Sequence, residues 1–184
     1  ENTELKDPIN RDNPDMPCPE NESYLIPVTY MNSSAALKSF VGEHGGIVCT
    51  SSNAQGILNW AFERAGKNGK VLFFPDQHLG RNTGLAMGLT VDQMATWTPG
   101  EDLDRHGWQS IDNSKMILWH GFCSVHKRFT VEQIEEFRNE NPDGIVIVHP
   151  ECPRETVDAS DTNGSTQFIR NFVQQQKPGS SIAI

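Results

Sequence analysis

Residues 71–81, VLFFPDQHLGR, show the pattern that decides the fold of this chain. Four apolar residues run directly into a polar cluster, and similar short apolar runs alternate with helical patterns from about residue 24 onward. Such alternation is typical of α/β units around a parallel sheet. None of the runs exceeds six residues, so we expect each to be a buried central strand. The predicted strands are Ile26–Met31, Gly46–Thr50, Val71–Phe74, Met116–Trp119, Ile145–Val148 and Ser181–Ile184.

Helix boundaries follow from capping and glycine signals between these runs. Gly45 and Gly66 follow two helical patterns, and glycine is common just after a helix ends. Thr130 and Gln133 form a T-x-x-Q capping box that opens a further helix. Residues 90–114 are rich in Thr, Asp and Gly, so we predict an irregular surface loop there. The predicted helices are Ala35–Glu43, Ala54–Ala65, Thr130 to about Asn139, and Ser165–Gln176.

The composition describes a globular protein and restricts its partners. The chain has 184 residues, 36% hydrophobic and 21% charged, enough for one substantial core or two small domains. Its formal net charge of −9 argues against a nucleic-acid-binding surface. Without a long apolar run or a leader pattern, we expect no membrane insertion and a cytoplasmic location. Residues 1–22 carry −5 of the charge and four prolines, which predicts an acidic, proline-rich loop over 1–23.

Polar clusters follow nearly every predicted strand, where functional residues gather in open α/β sheets. Because the carboxyl ends of parallel strands meet at one edge, five such clusters predict one shared pocket. His149 and Glu151 in one cluster are suited to proton transfer in a partly desolvated site, although solvated loop positions would also explain them. The clusters are YMNSS at 30–34, CTSSN at 49–53, PDQHLGR at 75–81, HGFCSVH at 120–126 and HPEC at 149–152.

Three predicted helices begin with small hydroxyl residues, at Ser33-Ser34, Ser51-Ser52 and Ser165-Thr166. Helix capping, in which the side chain accepts a backbone N–H, explains each of them simply. A helix start also offers free N–H groups and a positive electrostatic end, which suit phosphate or carboxylate. Three starts in one crevice favour an anionic ligand. A non-catalytic anion-binding module therefore stays open, although no G-x-G-x-x-G or P-loop motif is present.

The cysteines divide into two groups by their neighbours. Positions 18, 49, 123 and 152 are too sparse for a disulfide-stapled secreted domain. Cys49 lies in a predicted strand, so we expect it to be buried, and we expect Cys18 to be an incidental loop thiol. Cys123 and Cys152 follow strands, and each has a histidine three residues away.

Those two cysteines and their histidines imitate a Cys2His2 zinc site. The pattern is C-x2-H-x22-H-x2-C, and tetrahedral zinc takes four such nitrogen and sulfur ligands. A cysteine nucleophile activated by a nearby imidazole, with Glu151 as orienting group, is a further alternative. The ligands of the zinc alternative are Cys123, His126, His149 and Cys152.

Six segments occur in the order and approximate spacing that quinolinate synthases show, so residues 24–184 resemble that family. They are TYMNSSAALK, CTSSNA, FFPDQHLGRNT, LWHGFCSVH, VIVHPEC and GSTQFI. The resemblance implies a [4Fe–4S] enzyme of NAD biosynthesis that condenses iminoaspartate with dihydroxyacetone phosphate to quinolinate. It also implies three pseudo-symmetric α/β domains, each donating one cysteine to a central cluster whose open iron acts as a Lewis acid. L-Aspartate oxidase or aspartate dehydrogenase is the implied functional partner.

On this resemblance the chain holds one complete and one partial domain. The expected fold is a set of three-layer αβα units with short parallel sheets, in pseudo-repeated domains. The expected divisions are the loop over 1–23, the complete middle domain over 24–122 and part of the third domain over 123–184. Residues 1–29 lack the family's Ala-Gly-Cys setting, and we expect the third cysteine beyond residue 184. One ligand cannot hold the cluster, so we expect this polypeptide to be inactive alone.

The matching motifs also imply roles for individual residues. Cys123 matches the cluster ligand of the middle domain. His149 and Glu151 match a pair implicated in substrate binding and proton transfer, and Tyr30 is the third catalytic candidate. The implied substrate-binding residues are Tyr30, Asn32, Ser51, His126, His149, Glu151, Ser165 and Thr166. The resemblance assigns no role to Asp76, His78, Arg81 and Cys152.

Overall fold

The chain folds into two parallel β-sheets flanked by helices, which confirms the predicted α/β class with three-layer αβα units. The computed structural model describes residues 22–102 and 104–184. The acidic loop predicted over 1–23 therefore lies, except for its last two residues, outside the described part of the chain. Within that part, no helix is both long enough and apolar enough to cross a membrane.

The first sheet has five parallel strands in the order β2-β1-β3-β5-β4. Its strands are β1 (Leu25–Tyr30), β2 (Ile47–Cys49), β3 (Lys70–Phe74), β4 (Met94–Trp97) and β5 (Met116–Trp119). The helices between them are α1 (Ala35–Glu43), α2 (Ala54–Ala65), α3 (Gln77–Ala86) and α4 (Arg105–Asn113), with a 3₁₀ turn at Val91–Gln93. Because the strands are parallel, the loops that follow them all lie at one edge of the sheet.

The second sheet has three short parallel strands in the order β7-β6-β8. Its strands are β6 (Ile145–Val148), β7 (Thr162–Asn163) and β8 (Ile182–Ala183). The associated helices are α5 (Val131–Glu140), α6 (Arg154–Ala159) and α7 (Thr166–Gln174), with a 3₁₀ turn at His126–Arg128. The loop after β6 carries the HPEC segment, so the polar cluster of this sheet also lies at the carboxyl end of a strand.

Side-chain caps confirm the predicted starts of α1, α5 and α7. The hydroxyls of Ser34 and Ser165 each accept the backbone N–H of the third residue that follows. Thr130 and Gln133 form the predicted capping box, with reciprocal side-chain to backbone hydrogen bonds. These helix starts were visible in the sequence because capping depends only on residues within one turn of each other.

The irregular loop predicted over 90–114 is wrong. This stretch forms the 3₁₀ turn at Val91–Gln93, then β4 and α4. Asp104 caps α4 by accepting the N–H of Gly107 at 2.7 Å. Only Met94 and Ala95 of β4 are buried, which is too short an apolar run for periodicity to indicate a strand.

The prediction that every strand is central and buried is wrong for β2 and β8. Both lie at the edge of their sheets, and Val48 on β2 is 38% exposed. An edge strand pairs with a neighbour on one side only, so its other side is exposed unless another part of the fold covers it. The order of strands in a sheet depends on the tertiary fold. The apolar composition of a short run therefore cannot show whether its strand is central or at an edge.

Two separate hydrophobic cores hold the sheets in place. The larger core packs β1, β3 and β5 against α2 and α3, with Ile26, Val28 and Phe73 fully buried. The smaller core lies between β6, α5 and α6. Both pack the strands against helices, so the loops at the strand ends start from defined positions. The smaller core consists of Ile134, Val146, Val148, Cys152 and Val157.

Candidate functional site

A cleft of about 390 Å³ lies at the carboxyl ends of β1, β3, β5 and β6. Four of the five polar clusters predicted to share one pocket contribute to it, from three strand-end loops of the first sheet and the loop after β6. Tyr30 and Asn32 enter from the end of β1, Asp76 from β3, Cys123 from β5 and Glu151 from β6. The remaining lining residues are Pro75, Trp119, Gly121, Phe122 and Ser124.

Glu151 is the polar centre of this cleft, although only 4% of the residue is exposed. Its Oε2 atom accepts the phenolic O–H of Tyr30 at 3.3 Å. The same oxygen lies 3.3 Å from Nδ1 of His149 and 3.6 Å from Nδ1 of His126. The two imidazole rings stack with their centroids 4.9 Å apart. One carboxylate oxygen therefore faces a phenol and two imidazoles.

Burial raises the pKa of the carboxyl group and lowers the pKa values of the two imidazoles. Burial, and then the charge of Asp76, raises the pKa of Glu151 to about 7. Burial, and then the charge of His126, lowers the pKa of His149 to about 4, and burial also lowers the pKa of His126. Near neutrality both imidazoles are therefore uncharged, while Glu151 exchanges its proton in the range that general acid–base catalysis requires.

The close contact between His149 and Glu151 is not an ordinary ion pair. The backbone N–H of Glu151 points at Nδ1 of His149 at 3.3 Å, so this nitrogen accepts and the ring proton belongs on Nε2. A lowered imidazole pKa agrees with a neutral ring. Nδ1 has a single lone pair, which this N–H occupies, so the 3.3 Å contact to Oε2 is a close approach and not a second hydrogen bond.

Tyr30 serves as a hydrogen-bond donor in this arrangement. Burial, and then the charge of Glu151, raises the pKa of Tyr30 to about 12, so the phenol keeps its proton at neutral pH. The Ser51 side chain also hydrogen-bonds the phenol, which brings the CTSSN segment to the same site. Tyr30 is thus in contact with two further substrate-binding candidates, Ser51 and Glu151.

Cys123 is the accessible thiol among the described cysteines. Cys49 and Cys152 are both buried, and burial raises their pKa values to about 12 and about 11. Cys49 lies in the first core, as predicted from its strand. Neither buried thiol is suited to act as a nucleophile or an exposed ligand.

The ligand atoms of Cys123, His126 and Glu151 lie within 4.8 Å of one another and could hold a metal ion. The Nδ1 atom of His126 is buried and has no hydrogen-bond partner, so its lone pair or proton is uncommitted. Among the residues that the structure describes, the four-residue zinc set predicted from spacing does not come together. Cys152 points into the second core instead and is 1% exposed.

The predicted helix starts do not all reach the cleft. Ser34 and Ser165 are used as helix caps, and the Ser33 hydroxyl accepts that of Thr29 at 3.1 Å. Thr166 lines a second, largely apolar cavity of about 410 Å³ together with His126 and His149. The serines at these three helix starts do not line the cleft, and two of them cap their own helices, so anion binding by the helix starts stays a prediction.

The PDQHLGR segment contributes residues whose roles the sequence did not reveal. Asp76 caps α3 and also reaches the loop of Cys123. Arg81 donates to the Thr96 hydroxyl at 2.7 Å, away from the cleft, and His78 is half-buried beside Asp76. A carboxylate at the first position before a helix signals a cap, but its second contact depends on a loop 47 residues away.

Fold and site together define an α/β protein whose strand-end loops bring a thiol and a buried carboxylate into one cleft, with two imidazoles close to that carboxylate. Residues 4–184 match the family model described as quinolinate synthetase A protein. The chain belongs to this family, which confirms the resemblance found in its sequence.

Curated relatives are consistent with this assignment. Over 160 residues, 87% of the chain, it is 63% identical to the quinolinate synthase of Corynebacterium glutamicum, of which the match covers 40%. It is 50% identical over 161 residues to that of Rhodopirellula baltica and 49% identical over 160 residues to that of Geobacillus kaustophilus. These matches cover 87% of the chain, 40% of the former relative and 42% of the latter. The chain thus spans about two fifths of the length of the relatives it matches.

Proposed function

We propose that this chain is the part of a quinolinate synthase that supplies one cluster cysteine and the proton-transfer group of the active site. The observation that carries the proposal is the position of Cys123 and Glu151 in one cleft, with their ligand atoms and that of His126 within 4.8 Å of one another. The substrates would be iminoaspartate and dihydroxyacetone phosphate, and the products quinolinate, phosphate and water. An enzyme that oxidises aspartate, such as L-aspartate oxidase or aspartate dehydrogenase, would supply the imine.

The described residues fit one corner of a [4Fe–4S] cluster. Such clusters are held by cysteine thiolates, and Cys123 is the described thiol that is accessible at the cleft, since Cys49 and Cys152 are buried. The further ligands would come from outside this chain, in a longer protein of the size that the relatives have. When bound, the cluster supplies a Lewis acid. We therefore expect the 184-residue chain to be inactive by itself.

The residues of the chain supply acid–base chemistry and orientation. Forming an aromatic ring from an imine and a keto phosphate requires removal of carbon-bound protons and protonation of leaving hydroxyls. With a pKa of about 7, Glu151 can take up a proton as carboxylate and give it back as acid at Oε2. Tyr30 holds that oxygen in place by donating to it, and neutral His149 lies 3.3 Å from the same oxygen. Asn32 adds an amide at the edge of the same cleft.

The setting of the proposed reaction is the cytoplasm. Thiols remain reduced there, which an Fe–S enzyme with an accessible ligand cysteine requires. The net charge of −9 gives no support to a nucleic-acid partner. The anion-binding module considered from the sequence has less support, because two of its three helix starts cap their own helices.

The test is anaerobic reconstitution of a longer protein that contains this chain, with iron and sulfide measured chemically. We expect a brown protein with broad visible absorbance, loss of iron in Cys123→Ser, and retention of iron in Cys152→Ser. Glu151→Gln should keep the iron and lose quinolinate formation. A colourless protein that takes up no iron under these conditions would contradict the proposal.

A second candidate is a mononuclear metal site. Cys123, His126 and Glu151 converge within 4.8 Å, and His126 Nδ1 has no hydrogen-bond partner. Three protein ligands with one open position are typical of catalytic zinc. One equivalent of zinc that is lost in Glu151→Gln and retained in Cys152→Ser would favour this candidate over the cluster.

A further inference from the structure

Helix α3 contacts two of the loops that form the cleft, one from each sheet. Its N-cap residue, Asp76, is 3% exposed and uses both carboxylate oxygens. Oδ1 accepts the N–H of Leu79 at 2.8 Å, which caps the helix. Oδ2 accepts the backbone N–H of Cys123 at 2.8 Å. One carboxylate therefore fixes both the start of α3 and the main chain of the metal-ligand candidate.

Backbone contacts reinforce this connection. The N–H of Gln77 donates to the carbonyl of Gly121 at 2.9 Å, two residues before Cys123. A side chain at Gly121 would collide with the carbonyl oxygen of Pro75, so the two segments approach as closely as their backbones allow. The loop after β5 is thus held against the start of α3 by two hydrogen bonds and a close packing contact.

Further along α3, six residues after Asp76, Asn82 holds the loop after β6. Asn82 is 4% exposed, and its Nδ2 donates to the carbonyl of Pro150 at 2.8 Å and to that of Cys152 at 3.0 Å. These carbonyls flank Glu151 on both sides. The amide therefore uses its two donors to fix the peptide unit that precedes Glu151 and the one between Cys152 and Pro153.

The helix that carries both residues is seated closely on the first sheet. A Cβ atom at Gly80 would lie 2.7 Å from side-chain atoms of Phe73 and Leu118. A Cβ at Gly84 would lie 2.7 Å from Sδ of Met94. Glycine at these two positions, four apart on one face, lets the helix approach the strands closely. A helix held in this way has little freedom to shift along the sheet.

We propose that α3 sets the spacing between Cys123 and Glu151, with Asp76 and Asn82 as the positioning residues. Asp76 holds the cysteine loop from the first sheet, and Asn82 holds the carboxylate loop from the second. Neither residue has to touch substrate to do this. The inference rests on the proposed function for what Cys123 and Glu151 do, whereas the positioning itself is a property of this chain.

The test is amide hydrogen exchange of the 184-residue chain, read by peptide. Asp76→Ser keeps an N-cap oxygen for α3 but is too short to reach Cys123. It should speed exchange in peptides covering 120–126 by about tenfold or more, since a hydrogen bond to a charged group is lost. Asn82→Leu, of similar size without donors, should do the same for peptides covering 149–152.

Matched controls separate positioning from general loss of stability. Asp104→Ser changes the N-cap of α4 in the same way, and Asn141→Leu removes an amide bond to the carbonyl of Phe137. Neither should affect exchange in the two loops. Selective loosening of each loop by its own variant supports the inference. Unchanged loops, or equal acceleration throughout the core strands, would overturn it.

A second measurement connects positioning to the site. In the longer protein, Asp76→Ser should retain cluster iron for a several-fold shorter time than wild type in the presence of a chelator, and Asp104→Ser should match wild type. Equal retention in the two variants would count against Asp76. If the wild-type longer protein takes up no iron, the proposed function fails, while the exchange pattern still decides the positioning inference.

Discussion

The phenol of Tyr30 donates to the carboxylate of Glu151 at 3.3 Å, across 121 positions of sequence. The bond joins the end of β1 in the first sheet to the loop after β6 in the second. Both groups are buried, so their bond is not weakened by competition from water. The pKa of this one carboxyl group therefore depends on how the ends of the two sheets lie relative to each other.

Tyr30→Phe should raise the pKa of Glu151 further above its ordinary range. The hydrogen bond from the phenol favours the ionised carboxylate and lowers the pKa that burial raises to about 7. Carbon NMR of the Glu151 side-chain carboxyl group across a pH titration measures the change. Tyr24→Phe, at the opposite end of β1, is the control and should leave the titration of Glu151 unchanged. A lower pKa in Tyr30→Phe would contradict the geometry.

The pH dependence of stability should contain two opposing contributions from Glu151 and His149. The pKa of Glu151 is raised from 4.5 to about 7, so its contribution is full below the lower value and is lost as pH rises to about 7. The pKa of His149 is lowered from 6.5 to about 4, so its contribution is full above 6.5 and is lost as pH falls to about 4. Across pH 4.5–6.5 the two slopes should largely cancel.

Single variants should expose each slope. With Glu151→Gln, the unfolding free energy should fall by roughly 3 kcal/mol from pH 6.5 to pH 4, at about 1.4 kcal/mol for each unit of the His149 pKa shift. With His149→Gln, it should instead fall as pH rises from 4.5 to 7. Urea unfolding at a series of pH values measures both, with Glu136→Gln on the exposed side of α5 as control. Equal pH profiles in all three variants would contradict the assigned protonation states.

Sequence signals were sufficient where the structure depends on near neighbours. The bounds of α1 and α2 match the prediction residue for residue, because small polar residues precede each start and a glycine follows within two positions of each C-terminal end. The bounds of β5 and β6 also match the predicted strands residue for residue. The pocket at the strand ends was predictable because parallel strands place their following loops at one edge.

Contacts between distant segments were not predictable in this way. The spacing of Cys123, His126, His149 and Cys152 suggested four zinc ligands, yet the turn after β6 directs Cys152 into the second core and Glu151 into the cleft. The backbone conformation at each position determines where its side chain points, and the spacing of residues in the sequence does not reveal that conformation. Asp76 was likewise visible as a helix cap, while its bond to Cys123 required the three-dimensional fold.

Gly121→Ala should destabilise the chain and displace the Cys123 loop. An added Cβ would collide with the backbone carbonyl of Pro75, which cannot move aside as a flexible side chain would. We expect a loss of about 2 kcal/mol or more, in the range of overpacking in a tight site. Gly56→Ala in α2 meets no atom within 4 Å and should stabilise by about 0.5–1 kcal/mol. Urea unfolding measures both, and a neutral Gly121→Ala would contradict the close approach.

Native alkylation should distinguish Cys123 from the other described cysteines. Cys123 is partly exposed at the cleft, whereas Cys49 and Cys152 are buried with pKa values raised to about 12 and about 11. Iodoacetamide should therefore modify Cys123 in the folded chain, with Cys49 and Cys152 at least about 100-fold slower, because thiolate and access are both needed. Peptide mass spectrometry after a time course measures each site separately. In urea the three rates should converge, which controls for peptide detection. Rapid modification of Cys152 in the folded chain would restore it as a ligand candidate and contradict its place in the second core.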